Sequence, residues 1–199
     1  MGELNIPETI GVMILPSCTL FPHGALPLRI FEERYKEMLN DALEGDPLIA
    51  IGASLDDPTG LPELDSAPVG TVGLIRACVR DEDLGGQLIL HGVMRVKFVE
   101  WLDGKSYPRA RIEPIMNTPL KEGSDAEERL RAVVELHTLS MPEEIGMLFR
   151  TFLQKCDDPH IFADLVCHHL LQDPEVRQHA LEIEKTEDRL NFLEGIVLD

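Results

Sequence analysis

Residues 20–35, LFPHGALPLRIFEERY, join an apolar loop punctuated by proline and glycine directly to the start of an amphipathic helix. Pro22 and Pro27 fix φ and carry no N–H, while Gly24 has access to backbone angles that a Cβ forbids. The segment therefore reads as the exit of an opening strand, a pinned turn and a helix docked beneath it. From Phe31 the apolar residues Phe31, Tyr35, Met38, Leu39, Ala42 and Leu43 recur at helical spacing, which turns Glu32, Glu33, Arg34, Lys36 and Glu37 outward. Gly45 follows as a C-cap.

Around that helix the first part of the chain alternates short strands with turns. Residues 9–15 and 48–54 read as strands, and residues 56–68 as an acidic loop without regular structure. Residues 69–80 and 87–101 pair across 81–86, where Gly85 and Gly86 supply a permissive hairpin backbone. Asp103 and Gly104 mark a second turn, and residues 109–114 form the last strand. With one helix interrupting several strands, a small β-barrel or curled sheet is expected rather than a βαβ array.

Pro119 and Gly123 lie in the boundary segment, which divides the chain into residues 1–119 and 120–199. Beyond it the periodicity is helical. Ser124 and Glu127 have capping-box spacing. A helix opening at Pro142 carries Ile145, Leu148, Phe149, Phe152 and Leu153 on one stripe. Asp158 with Pro159, and Asp173 with Pro174, repeat one device: the Asp accepts from early helix N–H groups and the Pro occupies a position where no donor is missed. Thr186 is expected to cap the last helix. Several short helices with one apolar face each must bury those faces together, so the fold class is α+β: a compact β-barrel-like domain with an inserted helix, then an α-helical bundle.

Two blocks of this pattern resemble a known family. The strand at 13–15, the turn with Phe21, Pro22, Pro27 and Leu28, and the helix at 31–43 are similar to the opening of the N-terminal, substrate-recognition domain of Lon-type ATP-dependent proteases. They are equally similar to stand-alone bacterial proteins built from that domain. The runs DDPHIFADLVCHHL (157–170) and TEDRLNFL (186–193) resemble the family's helical subdomain. A complete Lon protease adds an ATPase and a serine-lysine peptidase module. This sequence contains no G-x-x-x-x-G-K-[ST] phosphate loop, no H-E-x-x-H and no G-x-S-x-G. The resemblance thus implies a recognition domain without motor or blade, and a PUA-like β-barrel.

Candidate chemistry is sparse. Cys156, His160, Cys167, His168 and His169 are zinc-type ligands without zinc-finger spacing. Phe162, Leu165, Val166, His169 and Leu170 define an apolar helical stripe, which places His169 in the bundle and His168 beside it. Cys18 and His23 lack a third partner for nucleophilic catalysis. Asp81, Glu82 and Asp83 have Gly92 where a calcium loop needs its bidentate Glu, and so read as a turn. Asp56, Asp57, Glu63 and Asp65 read as a solvated loop. No metal, cofactor or catalytic residue is assigned.

Charge narrows the partners. Eighteen Lys and Arg against 36 Asp and Glu give −18, with 10 basic and 18 acidic residues in 1–119 and 8 and 18 in 120–199. Nucleic-acid affinity rests on neutralising phosphates, so a chain this uniformly acidic is expected to repel DNA and RNA. Its longest apolar runs are too short to span a bilayer, and Glu3 and Glu8 stand where a signal peptide would be basic. Cytoplasmic residence is the expectation, with four reduced cysteines.

What remains is apolar surface. Phe21, Leu26, Leu28 and Phe31 surround the early turn and are the candidate polypeptide-binding residues, while Leu55, Leu61 and Leu64 lie in a loop that is otherwise polar. The resemblance implies a non-catalytic domain that engages unfolded or tagged polypeptide. A second copy of the chain and a full-length protease acting in trans are the other partners in prospect. A small-molecule sensor or regulatory scaffold built on the same β-domain is the alternative. Its aromatic material is thin, with Trp101 the sole tryptophan.

Overall fold

The run Leu-Ile-Ala-Ile at the start of β3 (Leu48–Ser54) is apolar at every position, as expected of a strand covered on both sides. A computed structural model, describing residues 5–54, 61–81 and 85–198, shows why. Ile49 and Ile51 point into one cluster with Met13, Leu20, Ile30, Tyr35, Met38, Leu88 and Leu90. Leu48 and Ala50 point into another with Val12, Val72, Val96, Ala110 and Ile112. Successive side chains leave a strand in opposite directions, so one strand serves two cores.

The strands are β1 (Thr9–Pro16), β2 (Ala25–Ile30), β3, β4 (Ser66–Asp81), β5 (Gly85–Leu102) and β6 (Arg109–Pro114). They form one mixed sheet in the order β2-β5-β4-β3-β1-β6, and β5 also pairs with β6. β1 and β3 are parallel, and every other pair is antiparallel. The long β5 makes this possible. Its first half lies between β2 and β4, its second half between β4 and β6, and register shifts at Val72/Gly73 and Ile75/Ala77 bend the β4–β5 pair. The sheet curls almost into a barrel, with β2 left as an outer flap.

Helix α1 (Glu33–Glu44) buries Tyr35, Met38 and Leu39 in the first cluster. It ends at Gly45, whose N–H reaches the Asp41 carbonyl at 3.1 Å. Three local expectations are corrected. Residues 25–30 are strand β2 rather than a turn, because an edge strand tolerates Pro27. The residue with left-handed backbone is His23 (φ 63°), not Gly24. A short helix, α2 (Pro62–Asp65), stands in the presumed loop. Leu55, Asp56 and Asp57 lie outside the described residues, as do Glu82 and Asp83 and the side chains of Glu63, Leu64 and Asp81.

The chain divides into two compact units, Met1–Ile115 and Met116–Asp199. The second holds α3 (Ala126–Leu139), α4 (Glu143–Leu153), α5 (Pro159–Leu170), α6 (Pro174–Glu182) and α7 (Thr186–Leu198). Leu130, Phe162, Val166, Leu181, Leu190 and Leu193 are its centre. Asp164 of α5 and Arg189 of α7 form an ion pair buried inside it. Asp158 Oδ1 accepts from the N–H groups of His160 and Ile161 at 2.8 and 3.3 Å, and Asp173 Oδ1 from those of Glu175 and Val176 at 2.9 and 3.0 Å.

The other caps differ from expectation. The N-cap of α3 is Asp125, whose side chain makes no cap bond; Ser124 Oγ, one residue earlier, accepts from the Ala126 N–H at 3.4 Å and donates to Glu187, and Glu127 is drawn onto Arg131. Thr186 is itself helical; its hydroxyl meets His160 Nδ1 at 2.9 Å. Pro142 precedes α4 as its N-cap.

Candidate functional site

Strand alternation gives β2 two characters. Leu26, Leu28 and Ile30 turn inward onto the core that α1 closes, and Ala25, Pro27 and Arg29 turn outward. The register carries the outward set across three strands. Pro27 stands beside Ile89 and Ile89 beside Ala77; Arg29 stands beside Gln87 and Gln87 beside Val79. This places Pro27, Ile89, Ala77 and Val79 on one outer face, and Val79 is 71% and Ile89 44% exposed. A shallow groove of about 460 Å³ runs over them.

The basic end of this face is built at the bend of β5. His91, which follows Ile89 on the outward side, meets His23 ring edge to ring face at 6.5 Å. Burial lowers the His91 pKa, and the charges of Arg76 and His23 lower it further. Arg76 is exposed, the extra residue at the Ile75/Ala77 shift.

The four sequence-derived residues do not make one surface. Phe21 is fully buried (0%), so it anchors the loop and contacts nothing outside; the expectation that the turn leaves it uncovered is corrected. Leu26 and Leu28 are half-buried against the core, although Leu28 also reaches the groove. Phe31 is 66% exposed, one residue beyond β2 and in the same outward parity as Pro27 and Arg29. It does not begin the buried helical stripe, because α1 starts two residues later. Ile89 and Val79 were the missing members. Their signal is an apolar residue where alternation with Leu88, Leu90 and Cys78 calls for a polar one.

A second apolar surface lies on the helical unit. Of the α4 stripe only Leu153 is buried, whereas Ile145, Leu148 and Phe152 are exposed, with Leu148 at 70%. The buried side of α4 is instead set by Gly146, where a Cβ would lie 2.4 Å from the Thr138 carbonyl oxygen. His169 is exposed and packs edge-on against Phe149 and Phe152, while His168 is the more enclosed of the pair, the reverse of expectation. Burial pushes the His168 pKa down to about 4, helped by His169 and Arg177. Among the described residues no group of three or more His, Cys, Asp or Glu could hold a metal.

A polar cleft of about 290 Å³ opens beside α1 and β6, with Asp41, Lys105, Tyr107 and Arg109 in its lining. Its groups satisfy one another. The Tyr107 hydroxyl donates to Asp41 at 2.5 Å and Lys105 Nζ lies 2.8 Å from the same carboxylate. The bonds from Lys105 and Tyr107 lower the Asp41 pKa, while burial and then Asp41 raise that of Tyr107. Such an arrangement keeps the phenol protonated and the carboxylate ionised at neutral pH, which latches the β5–β6 loop onto α1 and activates neither group. Among the described residues, no helix is long and apolar enough to cross a membrane.

The family model described as the ATP-dependent protease La (LON) substrate-binding domain matches residues 9–198. Lon protease of Trichlorobacter lovleyi is 25% identical over 198 residues, covering 98% of this chain and 24% of its own length. Lon protease of Haemophilus influenzae is 27% identical over 198 residues, covering 97% and 24%. The chain thus spans about a quarter of the length of the curated relatives it matches. Among solved structures, the N-terminal domain of Mycobacterium avium complex Lon protease superposes with a TM-score of 0.74 at 15% identity, covering 96% of this chain and 98% of that one. The Lon N-terminal domain protein from Xanthomonas campestris gives 0.66 at 19% identity, with 92% and 94% covered.

Proposed function

The chain belongs to the family of ATP-dependent protease La (LON) substrate-binding domains, and from that premise we propose that it engages unfolded or tagged polypeptide, without catalysing a reaction, through the apolar outer face of β2, β5 and β4. The observation that carries this reading is the pair of exposed apolar side chains Val79 and Ile89, which share a groove on one face of a sheet whose other face packs the core. Apolar contact on a shallow groove supplies affinity with little sequence selectivity, as binding of many unfolded chains requires. The mode is contact with the face rather than strand addition. β2 is the edge of the sheet, and Pro27 removes a donor that an added strand would use.

The test is a fluorescence-anisotropy titration of a reduced, unfolded model protein. Val79→Asp and Ile89→Asp lie on the surface and leave the core intact. Each removes apolar burial of about 1.5–3 kcal/mol at the contact, and so weakens binding about tenfold or more. Unchanged affinity in both variants excludes this face.

Other parts of the reading rest on separate observations. The uncovered α4 stripe supports contact with a second copy of the chain or with a full-length protease in trans. Four free cysteines support cytoplasmic residence. The small-molecule alternative has the cleft beside α1, and a thermal-shift screen in which one metabolite stabilises the wild type but not Arg109→Ala would favour it.

A further inference from the structure

We infer that the polypeptide taken by the β2–β5–β4 face is acidic as well as apolar: a segment in which Asp or Glu residues lie among aliphatic side chains. The inference rests on the polypeptide-binding reading of the same face and names its ligand class.

The argument is one of charge against composition. The chain carries twice as many acidic as basic residues, 36 against 18. Among the described side chains of this face there are arginines and no Asp or Glu. These side chains are Arg29, Arg76, His91, His23 and Gln87 together with the apolar row. Arg29 lies beside Gln87 at one end. Arg76 is held out at the register shift near the other end, close enough to His91 to depress its protonation. Neither arginine has an ion-pair partner among the described residues, whereas Arg34, Arg111 and Arg129 all do. Arg29 lines the groove at one end and Arg76 lies one residue beyond Ala77 of its lining, so a guanidinium near each end offers a forked donor to a carboxylate while the groove takes the side chains between.

The net charge makes the preference diagnostic. A chain at −18 attracts basic peptides through its overall field, so non-specific association favours the opposite sign. Only a local basic site produces preference for acid.

Three fluorescein-labelled peptides of equal length and equal Leu, Ile and Val content, with Asp/Glu, Ser/Asn or Lys as spacers, are titrated with the full chain. The expected order is acidic, neutral, basic, with acidic over basic about tenfold at low salt and less in high salt. The double variant R29E/R76E reverses the order of acidic and basic peptides and leaves the neutral one within about twofold. Equal or tighter binding of the basic peptide to the wild type overturns the inference, and if the neutral peptide still binds, the polypeptide-binding reading survives. Failure of all three peptides to bind overturns both.

Discussion

Gly92 decides more about the site than its size suggests. A Cβ there would lie 2.0 Å from the Phe21 carbonyl oxygen. The bare backbone lets the 21–24 loop settle on β5 instead, with His23 N–H donating to the Gly92 carbonyl at 2.8 Å and Gly92 N–H to Gly24 at 2.9 Å. That contact sends Phe21 inward and carries His23 to His91. Gly92→Ala is therefore expected to lower unfolding free energy by about 1–3 kcal/mol, through overpacking against backbone that cannot yield, as a shift of the urea midpoint. An unchanged midpoint would mean that the loop is not pinned there. Little of this was legible beforehand. Pro22 and Gly24 announce a shaped connection, but the partner that shapes it lies about 70 residues away, and local sequence carries no trace of that approach.

Among the elements, legibility follows the locality of the forces. Residues 48–54 and 109–114 are strands at the bounds their patterning gives, and the long hairpin of β4 and β5 forms as their pairing suggests. β2 was concealed by Pro27, since edge position, a property of the whole sheet, is what makes a proline admissible there. The α4 stripe was legible as a stripe, yet amphipathicity says nothing about whether a neighbour covers it. Asp158 and Asp173, by contrast, act within one turn of helix and were legible to the residue. Replacing either by Ala is expected to cost about 1 kcal/mol of stability. Urea denaturation monitored by circular dichroism checks this, and polypeptide affinity should remain within error. Loss of affinity in these variants would implicate the helical unit in recognition.

For the molecule as a whole, two separated sequence blocks were enough to indicate the family, because they combine the turn, helix and capping signals that fix its local geometry. Composition pointed away from nucleic acid, but a net charge of −18 does not report that Arg29 and Arg76 stand on or beside one sheet face. Neither net charge nor hydropathy reports which side of a strand a residue occupies, so Val79 and Ile89 became visible only through register. The central claim is that this face receives polypeptide. Amide chemical-shift mapping of the isotope-labelled chain against a reduced, unfolded protein tests it most directly. The account predicts perturbations concentrated on β2, the first half of β5 and residues 76–79 of β4. Perturbations confined to the α1 cleft or to the helical unit, with that sheet face silent, would contradict it.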